Sequence, residues 1–89
     1  MRLSRNVTIP NELGLHARSA GKIAKLAQEA HEGVFVVKDG EEADATSILD
    51  VIGLYCPRGT EVTVRVNDPA DVKVLERIVK LIETGFGES

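Results

Sequence analysis

Val34-Phe35-Val36-Val37-Lys38-Asp39-Gly40-Glu41 is the stretch on which the reading of this chain turns. Its first four residues are β-branched or aromatic with no polar interruption, the make-up of a strand buried in a sheet. Asp39-Gly40 then supplies a two-residue hairpin, because a type I′ turn needs positive φ at both central positions. A partner strand is expected to return over residues 41–45. Strands joined this tightly run in opposite directions, so the sheet contains antiparallel pairs.

Working outward, Leu3, Arg5, Val7 and Ile9 alternate with Ser4, Asn6 and Thr8 as a half-buried first strand, ended by Pro10-Asn11. Gly14 breaks the chain. The spacing of Ala20, Ile23, Ala24, Ala27 and Ala30 then predicts an amphipathic helix over residues 17–31, with Lys22, Lys25, Gln28 and Glu29 on its wet side and His31 as a cation near its C-terminal end. Downstream of the hairpin, Ser47 and Asp50 stand in capping-box spacing before a short helix carrying Ile48, Val51, Ile52 and Leu54, which must stop before Pro57. Thr60 to Val66 alternates cleanly as a fourth strand. Asp68-Pro69 starts a last helix, whose apolar face is Val72, Leu75, Ile78, Val79 and Ile82 and whose C-cap is expected at Gly85. The order strand, helix, strand, strand, helix, strand, helix, with short connections, predicts an α+β two-layer open-faced sandwich, a mostly antiparallel four-stranded sheet with helices on one face.

The chain has 89 residues, 43% hydrophobic, 28% charged and 3% aromatic, one small domain over residues 1–89. So short a domain has little interior for an active-site cavity, and function is expected on the surface. Eleven Lys and Arg against fourteen Asp and Glu give a net charge of −3, without a basic cluster or aromatics to stack bases, which argues against nucleic acid. The single cysteine, Cys56, is read as a packing residue and argues against a secreted, disulfide-stapled domain. With no signal-like N-terminus and no apolar run of the roughly 20 residues that span a bilayer, a cytoplasmic location is expected.

Gly14-Leu15-His16-Ala17-Arg18-Ser19-Ala20 does not fit the core pattern and lies where a loop becomes a helix. The first turn of a helix leaves backbone N–H groups unpaired at the positive end of its dipole, so an anion is stabilised there. Arg18 can add a guanidinium clamp on phosphate, Ser19 a hydroxyl donor, and the neutral imidazole of His16 is a competent phosphoryl nucleophile. The plainer account is that His16 only caps the helix. Physics of this kind leaves both open.

Gly14-Leu15-His16-Ala17-Arg18, followed by Thr46-Ser47-Ile48 and by Phe86-Gly87-Glu88, resembles HPr, the histidine-containing phosphocarrier family of the bacterial phosphoenolpyruvate-dependent sugar phosphotransferase system. The resemblance covers essentially the whole chain. It implies strand order 1-4-2-3 and a carrier that completes no reaction alone. His16 would accept a phosphoryl group on Nδ1 from Enzyme I and pass it to enzyme IIA components of sugar transporters. It implies no metal and no organic cofactor, no nucleic acid, no membrane insertion and a monomeric state. Ser47 matches the family's regulatory serine, a substrate of HPr kinase/phosphorylase where that enzyme exists. Ile48 and Ile52 are expected to pack inward, while Leu49 with Ile52 or another neighbour forms a docking patch that Lys22 and Lys25 supplement. Two departures stand out: Ser19 replaces the family's usual proline, and Asp44, Thr46 and Asp50 surround Ser47 where relatives carry a basic residue. A nitrogen-type regulatory phosphorelay and an α+β binding module without phosphoryl chemistry are the alternative functions.

Overall fold

The computed structural model describes residues 2–88. Seven principal elements follow the expected order: β1 (Ser4–Thr8), α1 (Ala17–Ala27), β2 (Val34–Lys38), β3 (Glu41–Asp44), α2 (Ile48–Gly53), β4 (Glu61–Val66) and α3 (Val72–Glu83). Asp39 and Gly40 have φ of 49° and 81°, so the β2–β3 connection has the positive-φ pair that its sequence asks for.

All strand pairs are antiparallel and the sheet runs β1-β4-β2-β3. The last long strand is thereby inserted between the first two. Its register places Val62 opposite Val7 and Val64 opposite Val36, so one face of the sheet is a continuous valine surface. Against that face pack Ile23 and Ala27 of α1 and Leu75, Ile78 and Ile82 of α3, all buried. Each fully buried Val, Leu or Ile contributes roughly 1.5–3 kcal/mol. The opposite face carries the alternate residues, including a Thr63–Asn6 hydrogen bond of 2.7 Å and Arg65 stacked 4.9 Å from the Phe35 ring. Arg5 falls on the helix side at the sheet's edge and is answered by both carboxylate oxygens of Glu76 on α3.

Two boundaries differ from expectation. α1 stops at Ala27, short of His31, because Glu29 and Ala30 fold back onto the carbonyls of Leu26 and Ala27, and Asp71 then captures the chain. Asp71 is fully buried, and its two oxygens accept the backbone N–H groups of His31 at 2.8 Å and Glu32 at 2.9 Å. His31 is therefore a loop residue held by its main chain. At the other boundary, Asp68 caps a short 3-10 turn, Pro69–Asp71, that precedes α3.

Candidate functional site

The loop between β1 and α1 is placed by its neighbour across the sheet's end. Leu15 N–H donates to the Cys56 carbonyl at 2.9 Å, and a Cβ on Gly14 would lie 2.3 Å from that oxygen. Gly14 also has φ of +67°, so glycine alone satisfies both the close approach and the left-handed turn. Leu15 is buried, which fixes where the next residue emerges.

That residue is His16, the N-cap of α1. Its Nδ1 accepts the N–H of Arg18 at 3.2 Å, so the ring nitrogen faces the open first turn of the helix. Ser19 completes a capping box, its Oγ accepting from His16 N–H at 2.9 Å and donating to the Gly14 carbonyl at 3.1 Å. The sequence suggested this hydroxyl as a phosphate donor; instead Ser19 is fully buried and its one proton is spent on backbone carbonyls.

Beyond the other edge of the ring lies a residue that sequence reasoning did not single out. His16 Nε2 is 2.8 Å from Glu88 Oε2, while Glu88 Oε1 accepts from Asn11 Nδ2 at 2.8 Å. The same Asn11 nitrogen donates to the Gly14 carbonyl at 2.9 Å. With Nδ1 occupied by a donor, the ring proton belongs on Nε2, pointing at the carboxylate. The Asn11 hydrogen bond, opposed by desolvation and aided by His16 and Lys22, holds the Glu88 carboxyl below the usual glutamate range. Asn11 is buried and its Oδ1 has no partner among the described residues.

Glu88 reaches the site because Gly85, Phe86 and Gly87 all take left-handed angles, φ of 70°, 60° and 75°. Phe86 plugs the core at 1% exposure, and Lys22 Nζ donates to its carbonyl. His16, Arg18, Lys22 and Glu88 consequently line one open concavity, with Glu12 and Leu13 at its side. The His16 ring is 29% exposed, within reach of an incoming group.

The remaining anticipated residues lie around this concavity and not in it. Ser47 caps α2 by accepting from Asp50 N–H at 3.3 Å, half of a capping box, while Asp44 takes the Thr46 N–H and hydroxyl. Leu49 is exposed at 81%, as expected, and Ile52 is partly buried against the core. Ile48 departs from expectation: it is exposed, because Val51 and Leu54 already fill the inner side of so short a helix. Tyr55, also exposed, extends the apolar surface beside α2 and was not foreseen. Lys25 is exposed in the last turn of α1, away from the lining of the concavity.

Residues 3–84 match the family model described as the PTS HPr component phosphorylation site. The chain belongs to the HPr family. Among curated relatives of this HPr-family chain, the phosphocarrier protein HPr of Cupriavidus necator is 36% identical over 86 residues, covering 97% of each chain. The phosphocarrier protein NPr of Klebsiella oxytoca is 33% identical over 89 residues, covering 99% of each. The crystal structure of HPr-C-His from Thermoanaerobacter tengcongensis superimposes with a TM-score of 0.90 at 29% identity, covering 100% of this chain and 99% of that one. The four-stranded sheet in order 1-4-2-3, expected from the resemblance alone, is the HPr fold observed here.

Proposed function

We propose that this phosphocarrier of the phosphotransferase system takes its phosphoryl group on Nδ1 of His16 from phosphorylated Enzyme I and hands it to enzyme IIA components of sugar transporters, working in the cytoplasm. The observation that carries the assignment is the direction of Nδ1, which meets the N–H of Arg18 at the start of α1. A phosphoryl group on that nitrogen lies over the helix N-terminus, a setting worth about 0.3–1 kcal/mol to an exposed anion, with Arg18 and Lys22 beside it. The lone pair of Nδ1 forms the N–P bond as the bond to the donor breaks. Stabilisation is moderate and the site open, which suits a group that two different enzymes must reach.

Docking is assigned to the apolar surface of α2, with Leu49 at its centre and Ile52 at its margin, flanked by Lys22 and Lys25. Ser47, whose hydroxyl caps α2, is assigned as a regulatory phosphorylation site. Phosphate there adds about −1.5 to −2 charges to the docking face and weakens approach of Enzyme I.

One labelling experiment with two arms tests the assignments. With phosphoenolpyruvate and cognate Enzyme I, the protein should acquire an acid-labile, base-stable phosphate that is absent in His16→Ala; with ATP and the cognate HPr kinase it should acquire an acid-stable one that is absent in Ser47→Ala. Label that persists in either variant overturns that assignment. Relatives named NPr, matching the chain end to end, favour a second reading in which the same chemistry serves a nitrogen-type regulatory relay. The IIA protein that accepts the phosphoryl group fastest decides between the two.

A further inference from the structure

We infer that Tyr55 is a specificity-determining residue of this carrier, an aromatic anchor that seats in an apolar recess of Enzyme I, and that Lys38 is the strut that holds it in place. The inference rests on the reading of α2 as the surface that meets Enzyme I, and adds to it a residue beyond the helix.

Three non-glycine residues among those described take left-handed backbone angles: Asp39, Tyr55 and Phe86. The fold accounts for two of them. Asp39 belongs to the β2–β3 hairpin, where aspartate tolerates that conformation, and Phe86 is locked in the core. Tyr55 has neither reason. With φ of 57° and 74% exposure, it is a bulky residue in strained backbone without burial to offset the strain. It stands just after Leu54, the C-cap of α2, where helices commonly end on glycine. The chain has a glycine two residues earlier, Gly53, but keeps it inside the helix and gives the left-handed turn to tyrosine.

The backbone is held in that angle from several directions. Tyr55 N–H closes the end of α2 on the Ile52 carbonyl at 3.0 Å. Lys38, at the end of β2, donates to the carbonyls of Leu54 at 3.1 Å and Tyr55 at 2.6 Å, and its Nζ lies 5.5 Å from the centre of the Tyr55 ring. An ammonium at that distance attracts the ring, so one lysine steadies both main chain and side chain. The next carbonyl, that of Cys56, accepts the N–H of Leu15, the residue before His16. Tyr55 therefore sits at the junction where the end of α2 meets the loop that presents the phosphoryl acceptor.

A tyrosine steadied before binding gives up little side-chain freedom when a partner encloses it, and aromatic residues of this kind carry much of the energy of protein interfaces. Lys38, together with Lys22 and Lys25 on α1, adds positive charge to the margin of the surface, which is complementary to acidic groups around the recess.

The experiment measures phosphoryl transfer from phosphorylated Enzyme I to the full chain, with KM and kcat determined separately, for wild type, Tyr55→Gly, Tyr55→Phe, Lys38→Met and Leu49→Ala. Tyr55→Gly should raise KM about five- to tenfold and leave kcat within about twofold. It should also unfold at the same or a higher urea concentration, because glycine relaxes the left-handed turn; a residue with only a structural role would lose stability instead. Tyr55→Phe keeps the ring and should keep KM within about twofold of wild type. Lys38→Met should raise KM in the same direction by less. An unchanged KM in Tyr55→Gly beside a raised KM in Leu49→Ala overturns the inference and leaves α2 as the docking surface. An unchanged KM in Leu49→Ala overturns the docking reading itself, so the two failures are distinguishable. A Tyr55→Gly defect confined to onward transfer to the IIA component gives the ring to that partner and overturns its assignment to Enzyme I.

Discussion

The sequence offered Ser19 one role, a hydroxyl donor to phosphate, and the fold gives that hydroxyl another. Its hydroxyl joins His16 N–H to the Gly14 carbonyl, which makes it part of what aims the imidazole. Replacing it with alanine leaves those two backbone groups without their partner. Ser19→Ala is therefore expected to lose about 1–2 kcal/mol in urea unfolding while the His16 adduct still forms. Loss of the adduct at unchanged stability would instead make the hydroxyl a phosphate ligand. Glu88 shows the opposite limit of sequence reading. The run Phe86-Gly87-Glu88 was visible as a family feature, but nothing local shows that its carboxylate meets a ring 72 positions earlier. That contact depends on three successive left-handed residues after α3, a geometry with no periodic signal.

At the scale of elements, the end of α1 is decided by Asp71, which belongs to the turn before α3. The backbone N–H groups of Glu32 and His31, donating to its oxygens, hold the carboxyl below the usual aspartate range against the opposing effect of burial. A carboxyl whose folded value is depressed stabilises the fold above its unfolded value of 3.8 and gives that stability up as pH falls through the folded value. Asp71→Asn should thus be less stable than wild type near neutral pH, and its stability should fall less steeply below about pH 4. Parallel slopes in urea unfolding at several acid pH values would contradict this. The same comparison marks what elements disclose in sequence. β4 and the buried face of α3 were plain because their periods of 2 and 3.6 run for several residues. Ile48 was misplaced because a helix of six residues has too few positions to define an apolar stripe. Insertion of β4 between β1 and β2 depends on how the layers pack, and only the family resemblance anticipated it.

Over the whole molecule, a net charge of −3 coexists with a local group of cations, Arg18, Lys22 and Lys25, along α1. With a Debye length of about 8–10 Å at physiological salt, charges close to the contact count for more in the encounter than the net charge of the whole molecule. If the local group steers Enzyme I to His16, the rate of transfer from Enzyme I should fall by on the order of tenfold as salt rises from low to several hundred millimolar. A rate that rises with salt would mean that overall repulsion dominates the encounter. Phe86, locked in the core, has a different kind of consequence. With Phe86 held inside and Glu88 in contact with His16, the segment between them is a spacer of fixed length. An insertion or deletion there would leave the sheet and helices intact while carrying the carboxylate off the ring. The tail is thus constrained in its number of residues as well as in the side chains of Phe86 and Glu88.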